Sequence, residues 1–554
     1  MFLALGGLGE IGMNCYLYGL GPEKSRRWLM VDLGITFPEG EFDPGVDVIM
    51  PDLTFIEKHA RNLEGIVLTH AHEDHLGAVI ELWPRLQVPV YATPFTAAFL
   101  KAKIAENASG LKIPIHEIPL SGRFEAGPFA CEFVGMTHSI PEPSGLALHT
   151  PRGIVFHTGD WKLDQAPLIG QPADEGRLQA LGRDGVLALV CDSTNVFRDG
   201  SSPSETEVAR SLTHLVESAS RRVIVTSFAS NVARIRAVAN AARATGREIV
   251  VAGRALHRAI QVAIDTGYLP EGFRYHDQQQ FSYISADKVL ALVTGSQGEN
   301  RAALARIANN EHPEISLAKG DLVIFSSRNI PGNEKSIGRI QNALARAGID
   351  IITDNEALVH VTGHPRREEL RQMYAWLKPT IAIPMHGEIR HLKEHARLAR
   401  DQGVAEVLTP VNGEIVTTAS GEAAIVGDAP AGRLFRDGRL IIPADDSSVR
   451  ERRKLAYVGL AAVSLVISRK GEILADPELA LDGIPYEDAD GNEMEDIVFD
   501  AIEGCLKGIP PARRKDAGTV REAVRRSVRA AIDSVWGKKP IVKVFVAVIA
   551  GGSR

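Results

Sequence analysis

The sequence His70-Ala71-His72-Glu73-Asp74-His75 follows the apolar residues 65–69 and leads into a helical pattern. It places three imidazoles and a carboxylate on one turn. Imidazole nitrogen and carboxylate oxygen bind zinc at ~2.0–2.2 Å, and a turn from strand to helix can direct its side chains to two sides. A chance cluster or a helix cap is the alternative, which the rarity of histidine disfavours. The spacing therefore predicts the start of a two-metal site.

One turn does not fill two metal sites, so further ligands are expected at the ends of later strands. His138 follows the apolar residues 131–136, and Asp160 ends Phe156-His157-Thr158-Gly159-Asp160. A carboxylate at Asp160 can bridge two ions about 3.5–4 Å apart. Taken singly, a histidine at a strand end is usually a surface group and Gly-Asp is usually a turn. Their position after the first turn favours the metal interpretation.

Composition indicates the class of protein and not its function. The 554 residues are 45% hydrophobic and 24% charged, as in ordinary globular proteins. A single core stops growing at ~250–300 residues, so two or three domains are expected. The formal net charge of -7 gives no general attraction to a polyanion. Any surface for nucleic acid must therefore be a locally basic channel.

The sequence predicts neither a membrane span nor a signal peptide. The longest apolar run, residues 455–467, is shorter than the ~18–20 residues of a span and predicts a buried helix or strand. No charged segment precedes a long apolar one near Met1, so the cytoplasm is expected. The four cysteines are far apart, without a C-x-x-C pair, and predict reduced, mostly buried thiols.

Helices and strands alternate regularly from Pro203 onward, which predicts a doubly wound parallel sheet. Before this point, short β-rich runs mix with helical patterns such as residues 74–83 and predict an α/β layered domain. The alternating helices are predicted at 204–218, 231–244, 255–266 and 334–347, and the strands at 223–227, 248–252, 289–294, 322–326 and 350–353.

Histidine-bearing turns after apolar strands return near Ala357, which indicates that the first domain resumes there. Residues 428–453 are rich in Gly, Pro, Asp and Arg and predict a linker to a small α/β domain. The arginines of a helix at 519–536 are read as a solvated face, with RNA contact or subunit pairing as alternatives. The predicted segments are 1–202, 203–355, 356–430, 431–453 and 454–554.

The order of the H-x-H-x-D-H turn, a later histidine, an aspartate and a distant histidine resembles the metallo-β-lactamase superfamily. The inserted segment resembles the β-CASP domain of its nucleic-acid-processing branch, and short motifs are similar to the bacterial ribonuclease J family. These motifs are Cys191-Asp192-Ser193-Thr194-Asn195, Phe228-Ala229-Ser230-Asn231, Thr294-Gly295-Ser296-Gln297-Gly298-Glu299, Ile330-Pro331-Gly332-Asn333-Glu334-Lys335, His360-Val361-Thr362-Gly363-His364 and Pro384-Met385-His386-Gly387-Glu388.

The resemblance implies an α/β fold: a metallo-β-lactamase αββα sandwich with an inserted doubly wound β-CASP domain and a small C-terminal α/β domain. It also implies two zinc ions, although manganese or magnesium tolerate parts of such a site. The implied ligands of the first ion are His70, His72, His138 and Asp160, and those of the second are Asp74, His75, Asp160 and His386.

The resemblance implies that His364, paired with Asp192, supplies the proton to the leaving ribose oxygen. A neighbouring carboxylate keeps an imidazolium protonated near pH 7, whereas a helix N-terminal histidine is the ordinary interpretation of His364. His360 and Thr362 are expected to face the 5′-terminal phosphate. Ser230 and Asn231 precede a helix, whose positive end favours a phosphate. Simple N-capping by Ser230 is an equal alternative there.

The implied function is endonucleolytic and 5′-to-3′ exonucleolytic hydrolysis of single-stranded RNA in RNA processing and decay. The substrate is expected to carry a 5′-monophosphate, the site to lie in the cleft between the two larger domains, and the chain to form a homodimer or homotetramer. Three positions depart from the family pattern without removing a ligand: Asn300, Pro365 and Glu142.

The sequence allows three other interpretations. Gly7-Leu8-Gly9-Glu10-Ile11-Gly12 with Asp32 matches a dinucleotide-binding pattern, but the strand pattern at 13–19 follows it where that site needs a helix. A small-molecule metallo-hydrolase of the same fold would use the same metal ligands, and the inserted domain argues against it. A non-catalytic RNA-binding scaffold requires a lost ligand, and none is lost.

Overall fold

The computed structural model describes residues 1–38, 40, 42–108, 110–330, 332–418 and 422–549. The chain divides into two compact units, Met1–Phe37 with Val48–Leu434 and Pro38–Asp47 with Phe435–Arg554. Within the described residues, no helix is both long and apolar enough to cross a bilayer. The finer division into five segments stays a prediction, and residues 419–421 and 550–554 of those segments lie outside the described residues.

Two mixed sheets face each other in the first unit. The first sheet has eight strands, in the order Ala424–Asp428, Glu414–Thr417, Phe2–Gly6, Cys15–Leu20, Arg27–Val31, Leu63–Val67, Val90–Ala92 and Ile115–Glu117. The second has seven, in the order Glu406–Val407, Ile381–Met385, Val186–Asp192, Gly153–His157, Ser144–Thr150, Phe129–Gly135 and Arg123–Ala126.

The core between the sheets follows from alternation along each strand, because successive side chains point to opposite faces. Phe2 and Ala4 of the first sheet join Phe133 and Leu146 of the second in one buried cluster. The outer face of the second sheet is also apolar and packs on helices. Helices of this sandwich are Thr54–Lys58, Glu73–Leu76, Val79–Leu86, Pro94–Asn107, Glu175–Asp184, Arg367–Leu377 and Ile389–Asp401. This is the predicted αββα sandwich.

The inserted segment forms a parallel sheet, as predicted, with six strands where the sequence predicts five. Its strands, in order, are His276–Asp277, Glu248–Ala252, Val289–Val293, Val223–Thr226, Leu322–Phe325 and Asp350–Ile352. The helices are Glu205–Ser218, Val232–Thr245, Arg254–Asp265, Ala303–Ala308 and Glu334–Arg346. Most of these bounds lie within a residue of the prediction, because apolar strands and amphipathic helices alternate here without interruption.

The second unit has its own core. Strand Leu460–Ser468 pairs antiparallel with Glu478–Asp482 and parallel with Ile541–Ile549. Apolar residues of these strands pack on helices Met494–Gly508 and Ala517–Trp536. Shorter helices at Ser447–Val458 and Pro511–Arg514 complete the α/β unit. Further short strands of the chain are Leu8–Gly9, Val48–Pro51, Gly387–Glu388, Arg433–Asp437 and Leu440–Pro443.

The helix predicted at 74–83 is interrupted. The structure has helices Glu73–Leu76 and Val79–Leu86 in its place. The carbonyl of Asp74 accepts hydrogen bonds from the backbone and side chain of Asn14. The N–H of Ala78, which would bond that carbonyl in a continuous helix, donates to Leu33 instead. Contacts distant in sequence therefore end the first helix within the turn region of His70 to His75.

Two other stretches differ in detail from the prediction. The apolar run 455–467 is neither one helix nor one strand, because Gly459, at φ 67°, separates helix Ser447–Val458 from strand Leu460–Ser468. Residues 431–453, predicted as a linker, contain strands Arg433–Asp437 and Leu440–Pro443 and the start of that helix. The Gly and Asp residues that suggested a linker lie partly in the turns between these elements.

Candidate metal centre and active site

The predicted metal ligands lie just beyond strand ends. The turn of His70 to His75 connects strand Leu63–Val67 to helix Glu73–Leu76. His138, Asp160 and His386 follow strands Phe129–Gly135, Gly153–His157 and Ile381–Met385 of the second sheet. The two sheets thus bring side chains from four separate parts of the sequence to one place.

Four side chains, which we call the first donor group, converge there: His70, His72, His138 and Asp160. Nδ1 of His72 lies 3.0 Å from Nε2 of His70 and 3.0 Å from Nε2 of His138. Oδ2 of Asp160 lies 3.8 Å from each of those two Nε2 atoms. Three imidazole nitrogens and one carboxylate oxygen are a donor set that zinc accepts in tetrahedral sites.

The second donor group consists of Asp74, His75, Asp160 and His386. Oδ2 of Asp160 lies 3.1 Å from Nε2 of His75 and 3.5 Å from Nε2 of His386. Oδ2 of Asp74 lies 3.6 Å and 3.7 Å from the same two nitrogens. Asp160 belongs to both groups, so its carboxylate could serve a metal ion in either of them.

The surrounding hydrogen bonds fit metal binding. In four of the histidines, Nδ1 faces away from the donor groups and contacts an oxygen atom outside them, which we call its outer partner. These partners are Gly363 O for His138 at 2.6 Å, Asp32 Oδ2 for His75 at 2.7 Å, Asn14 Oδ1 for His386 at 2.9 Å and Thr69 Oγ1 for His70 at 3.0 Å. Such outer partners fix the tautomer of metal-ligating histidines. Oδ1 of Asp160 is buried and has no hydrogen-bond partner among the described residues. The residues present therefore fit divalent ions.

The two groups differ in charge. Burial is the largest effect on the first group: it lowers the pKa of His70 and His138 well below the usual value and the pKa of His72 to about 4. These rings are neutral and present lone pairs. Burial also lowers the pKa of His75, but the nearby carboxylates, Asp160 first, raise it well above its usual value. The second group therefore attracts positive charge.

His364 and Asp192 form a pair beside the donor groups. Asp192 ends strand Val186–Asp192 and is fully buried. Its Oδ1 accepts hydrogen bonds from the backbone and hydroxyl of Thr194, while its Oδ2 lies 2.7 Å from Nδ1 of His364. Burial lowers the pKa of His364, but Asp192 and Asp160 outweigh that effect and raise the pKa to about 9. Nδ1 of His364 is 3.9 Å from Oδ2 of Asp160.

The segment that leads to His364 contains two of the predicted phosphate-binding residues. Oγ1 of Thr362 accepts hydrogen bonds from Nδ2 of Asn195, at 2.7 Å, and from the backbone N–H of His364. Asn195 also donates to the carbonyl of His364. Nδ1 of His360 is buried without a hydrogen-bond partner among the described residues, and burial lowers the pKa of its ring to about 3.

Asn231, and not Ser230, is the N-cap of the helix that follows these two residues. The N-cap of helix Val232–Thr245 is Asn231, whose Oδ1 accepts from the N–H of Arg234 at 2.9 Å. The alternative in which Ser230 caps this helix is wrong, because the helix begins one residue later than predicted, at Val232. Within the described part of the chain, no hydrogen bond joins Ser230 or Asn231 to His360, Thr362 or either donor group.

Sequence reasoning missed two residues of this centre. Asp32 was considered only as a ribose contact, yet it is fully buried at φ 62° and bonds His75 and Thr69. Asn14 was not singled out, although it bonds His386. Strand Cys15–Leu20 follows the glycine-rich residues, which confirms the predicted strand where a dinucleotide site needs a helix. An isolated polar residue at the end of an apolar strand was the available signal.

Comparison with known proteins agrees with this arrangement. A protein named ribonuclease J from Sinorhizobium meliloti is 50% identical over 547 residues, which are 99% of this chain and 97% of that protein. The chain belongs to the ribonuclease J family. Ribonuclease J2 of Bacillus subtilis is 32% identical over 98% of this chain and 97% of its own length. The relationship therefore extends over both units.

Four family models match successive parts of the chain. They are the beta-lactamase superfamily domain at 42–175, the ribonuclease J beta-CASP domain at 220–344, the Zn-dependent metallo-hydrolase RNA specificity domain at 348–410 and the ribonuclease J C-terminal domain at 447–549. A crystal structure of a protein of unknown function from Enterococcus faecalis matches with a TM-score of 0.52 and 16% identity, over 74% of this chain and 98% of that one. That likeness concerns the fold alone.

Proposed function

We propose that this member of the ribonuclease J family is a two-zinc enzyme that cuts single-stranded RNA both internally and from the 5′ end. Family membership makes RNA the substrate and metal-dependent hydrolysis the reaction. The observation that carries the proposal is the sharing of Asp160 by two donor groups, with the His364–Asp192 pair 3.9 Å from it. Metal ligands and a proton donor then lie around one phosphodiester.

The donor groups support two ions of the same kind. Nitrogen-rich sets with one or two carboxylates suit zinc, whereas magnesium and calcium take oxygen ligands. The proposed ligands are His70, His72, His138 and Asp160 for one ion, and Asp74, His75, Asp160 and His386 for the other. When bound, two such cations would share the charge that develops on the phosphoryl group and would lower the pKa of the attacking water.

His364 is proposed as the general acid. Its Nδ1 is held by Asp192, which leaves Nε2 to donate a proton to the leaving ribose oxygen. The raised pKa keeps the ring protonated at neutral pH before the reaction. Asp192 itself is oriented by Thr194, so the ring has one preferred direction. Protonation of the leaving oxygen removes the charge that would otherwise favour the reverse reaction.

The proposal includes a preference for RNA with a 5′-monophosphate. His360 and Thr362 lie on the segment that ends at His364, and a phosphate received there would set the distance from the 5′ end to the bond that is cut. Ser230 and Asn231, at the start of helix Val232–Thr245, are the other proposed contacts, through the positive end of the helix dipole. We also propose a homodimer or homotetramer and a cytoplasmic location, where its RNA substrates are made.

The test uses matched RNA and DNA oligonucleotides, each with a 5′-monophosphate or a 5′-hydroxyl and with labels at the 5′ end and at an internal position. Wild-type protein loaded with zinc is compared with Asp74→Ala combined with His75→Ala, with and without a chelator. We expect RNA cleavage that the chelator and the double variant abolish. Release of 5′ mononucleotides measures exonuclease action, and internally labelled fragments measure endonuclease action.

The outcomes separate the parts of the proposal. Cleavage of DNA at the same rate would contradict RNA specificity, and equal rates on both 5′ ends would contradict the monophosphate preference. A zinc-loaded wild type without activity on RNA would favour a small-molecule substrate for the same metal centre. Size-exclusion chromatography with light scattering tests the oligomeric state independently.

A further inference from the structure

The glycine-rich residues near the N-terminus have no role in the mechanism above, yet they lie against the metal centre. Asn14, at their end, is fully buried. Its Oδ1 accepts from Tyr16 Oη at 2.7 Å and from His386 Nδ1 at 2.9 Å, while its Nδ2 donates to Asp74 O at 3.0 Å and lies 3.0 Å from His75 Nε2. Three of these partners belong to the second donor group.

The orientation of this amide is fixed by its partners. The carbonyl of Asp74 can only accept a hydrogen bond, so the atom beside it must be the Nδ2 donor. Oδ1 therefore faces His386, and Nδ1 of His386 must carry the proton. That tautomer leaves Nε2 of His386 with a free lone pair, 3.5 Å from Oδ2 of Asp160. The Asn14 amide thus selects the nitrogen that His386 offers to a metal.

The backbone around Asn14 holds the same ligand. His386 has φ 51°, a left-handed conformation that is unfavourable for a residue with a side chain. Its N–H donates to the carbonyl of Gly7 at 2.8 Å, and strand Leu8–Gly9 pairs with Gly387–Glu388 beside it. A Cβ at Gly7 would lie 2.7 Å from Oδ1 of Asn14 and 2.2 Å from Oη of Tyr16. Glycine at this position therefore permits the contact between Asn14 and His386.

We infer that Asn14 is a positioning residue for the second metal ion alone, which it serves by fixing the tautomer of His386 and the turn of Asp74 and His75. The inference rests on the proposed two-zinc function. In the part of the chain that the structure describes, Asn14 makes no hydrogen bond with His70, His72, His138 or Asp160, which hold the first ion. A residue that merely stabilised the fold would affect both ions equally.

The test measures metal binding by metal-free, full-length protein, titrated with zinc against a chromophoric chelator, and zinc retained after dialysis. Asn14→Leu removes the hydrogen bonds to Tyr16, His386 and Asp74 at similar volume. Asp74→Ala removes a ligand of the second group only, so its titration shows how loss of the second ion alone is observed. Asn412→Ala is the matched control, because Asn412 bonds Leu8 and Glu10 of the same loop and neither donor group.

We expect wild type and Asn412→Ala to bind two zinc ions with equal affinity. Asn14→Leu should bind the second ion about 10- to 100-fold more weakly, as expected for loss of an outer hydrogen bond to a metal-ligating histidine, and the first ion as wild type does. Tyr16→Phe, which removes one donor to Asn14 and keeps the amide, should weaken the second ion about fivefold. Circular dichroism of each variant checks the fold.

Two results would overturn the inference while the proposed function stands. They are an unchanged second affinity in Asn14→Leu and an equal loss of both ions in that variant. If Asn14→Leu does not fold, Tyr16→Phe decides, and an unchanged second affinity there overturns the inference. A wild type that binds no zinc, or only one ion, contradicts the two-zinc proposal itself and the inference with it.

Discussion

Oδ2 of Asp192 and Nδ1 of His364 are 2.7 Å apart, although 172 positions separate the two residues in the sequence. Neither residue belongs to the first or the second donor group, yet His364 is 3.9 Å from the shared carboxylate of Asp160. The pair is therefore close to the metal centre without being needed to build it. Loss of the pair and loss of a ligand should have different effects.

His364→Ala should lower kcat by about 10²- to 10⁴-fold, the usual contribution of a general acid, with both zinc ions retained. Asp192→Asn should lower kcat less, because the ring remains but its pKa falls without the carboxylate. Single-turnover cleavage of a labelled RNA and zinc content per chain are the measurements. The matched control is His276→Ala, because His276 is a partly exposed histidine bonded to Glu248. Loss of zinc from His364→Ala would count against a purely catalytic role.

Removal of metal should destabilise the first unit as well as abolish activity. The members of both donor groups come together only in the folded protein, and cations that bind only the folded state stabilise it. Binding at 100 times the dissociation constant contributes about 2.7 kcal/mol per ion. Thermal unfolding of metal-free protein, repeated at several zinc concentrations, should show a midpoint that rises with zinc. A midpoint independent of zinc would argue against tight binding.

The parts of the fold with regular periodicity could be predicted from the sequence. Strand Glu248–Ala252 was predicted at its observed bounds because its apolar run ends abruptly and amphipathic helices flank it. The helix after His72 was predicted too long, since its interruption depends on Asn14 and Leu33, which no local pattern links to Asp74.

The site residues also differ in how far a local sequence pattern could predict them. His70 to His75 form a dense local motif that needs no partner to be noticed, whereas Asp160 and His386 were assigned by resemblance and order. The structure brings all of them within 4.8 Å of their group members. Asn14 and Asp32 were not predicted as outer partners, because a single buried Asn or Asp carries no spacing that indicates its function.

Gly34→Ala should disrupt the second metal site specifically. A Cβ at Gly34 would lie 1.7 Å from the carbonyl oxygen of Asp74, and backbone on both sides leaves little freedom to move. We expect loss of the second zinc ion and a lower midpoint of thermal unfolding. Gly272→Ala is the control, because no atom lies within 4 Å of its added Cβ. Normal zinc content in Gly34→Ala would show that the turn can shift without losing the ligand geometry.

Arg234 should be one of the most sensitive structural positions of the inserted segment. Its guanidinium is fully buried, forms an ion pair with the buried Glu205 at 2.8 Å, and donates to the hydroxyl of Ser326 and the carbonyl of Val359. Val359 directly precedes His360, so the arginine also anchors the segment that ends at His364.

Arg234→Met should lower the free energy of unfolding by about 3–5 kcal/mol, because it leaves the carboxylate of Glu205 buried and unpaired. Adding Glu205→Gln should recover part of this loss, since an amide costs less to bury than an uncompensated charge. Urea unfolding of the single and double variants measures both. The matched control is Arg258→Met, since Arg258 pairs with Glu106, which is about half exposed and can be solvated when its partner is lost. If Arg234→Met and Arg258→Met lowered the free energy of unfolding by the same small amount, burial of the Arg234–Glu205 pair would not be what stabilises the inserted segment.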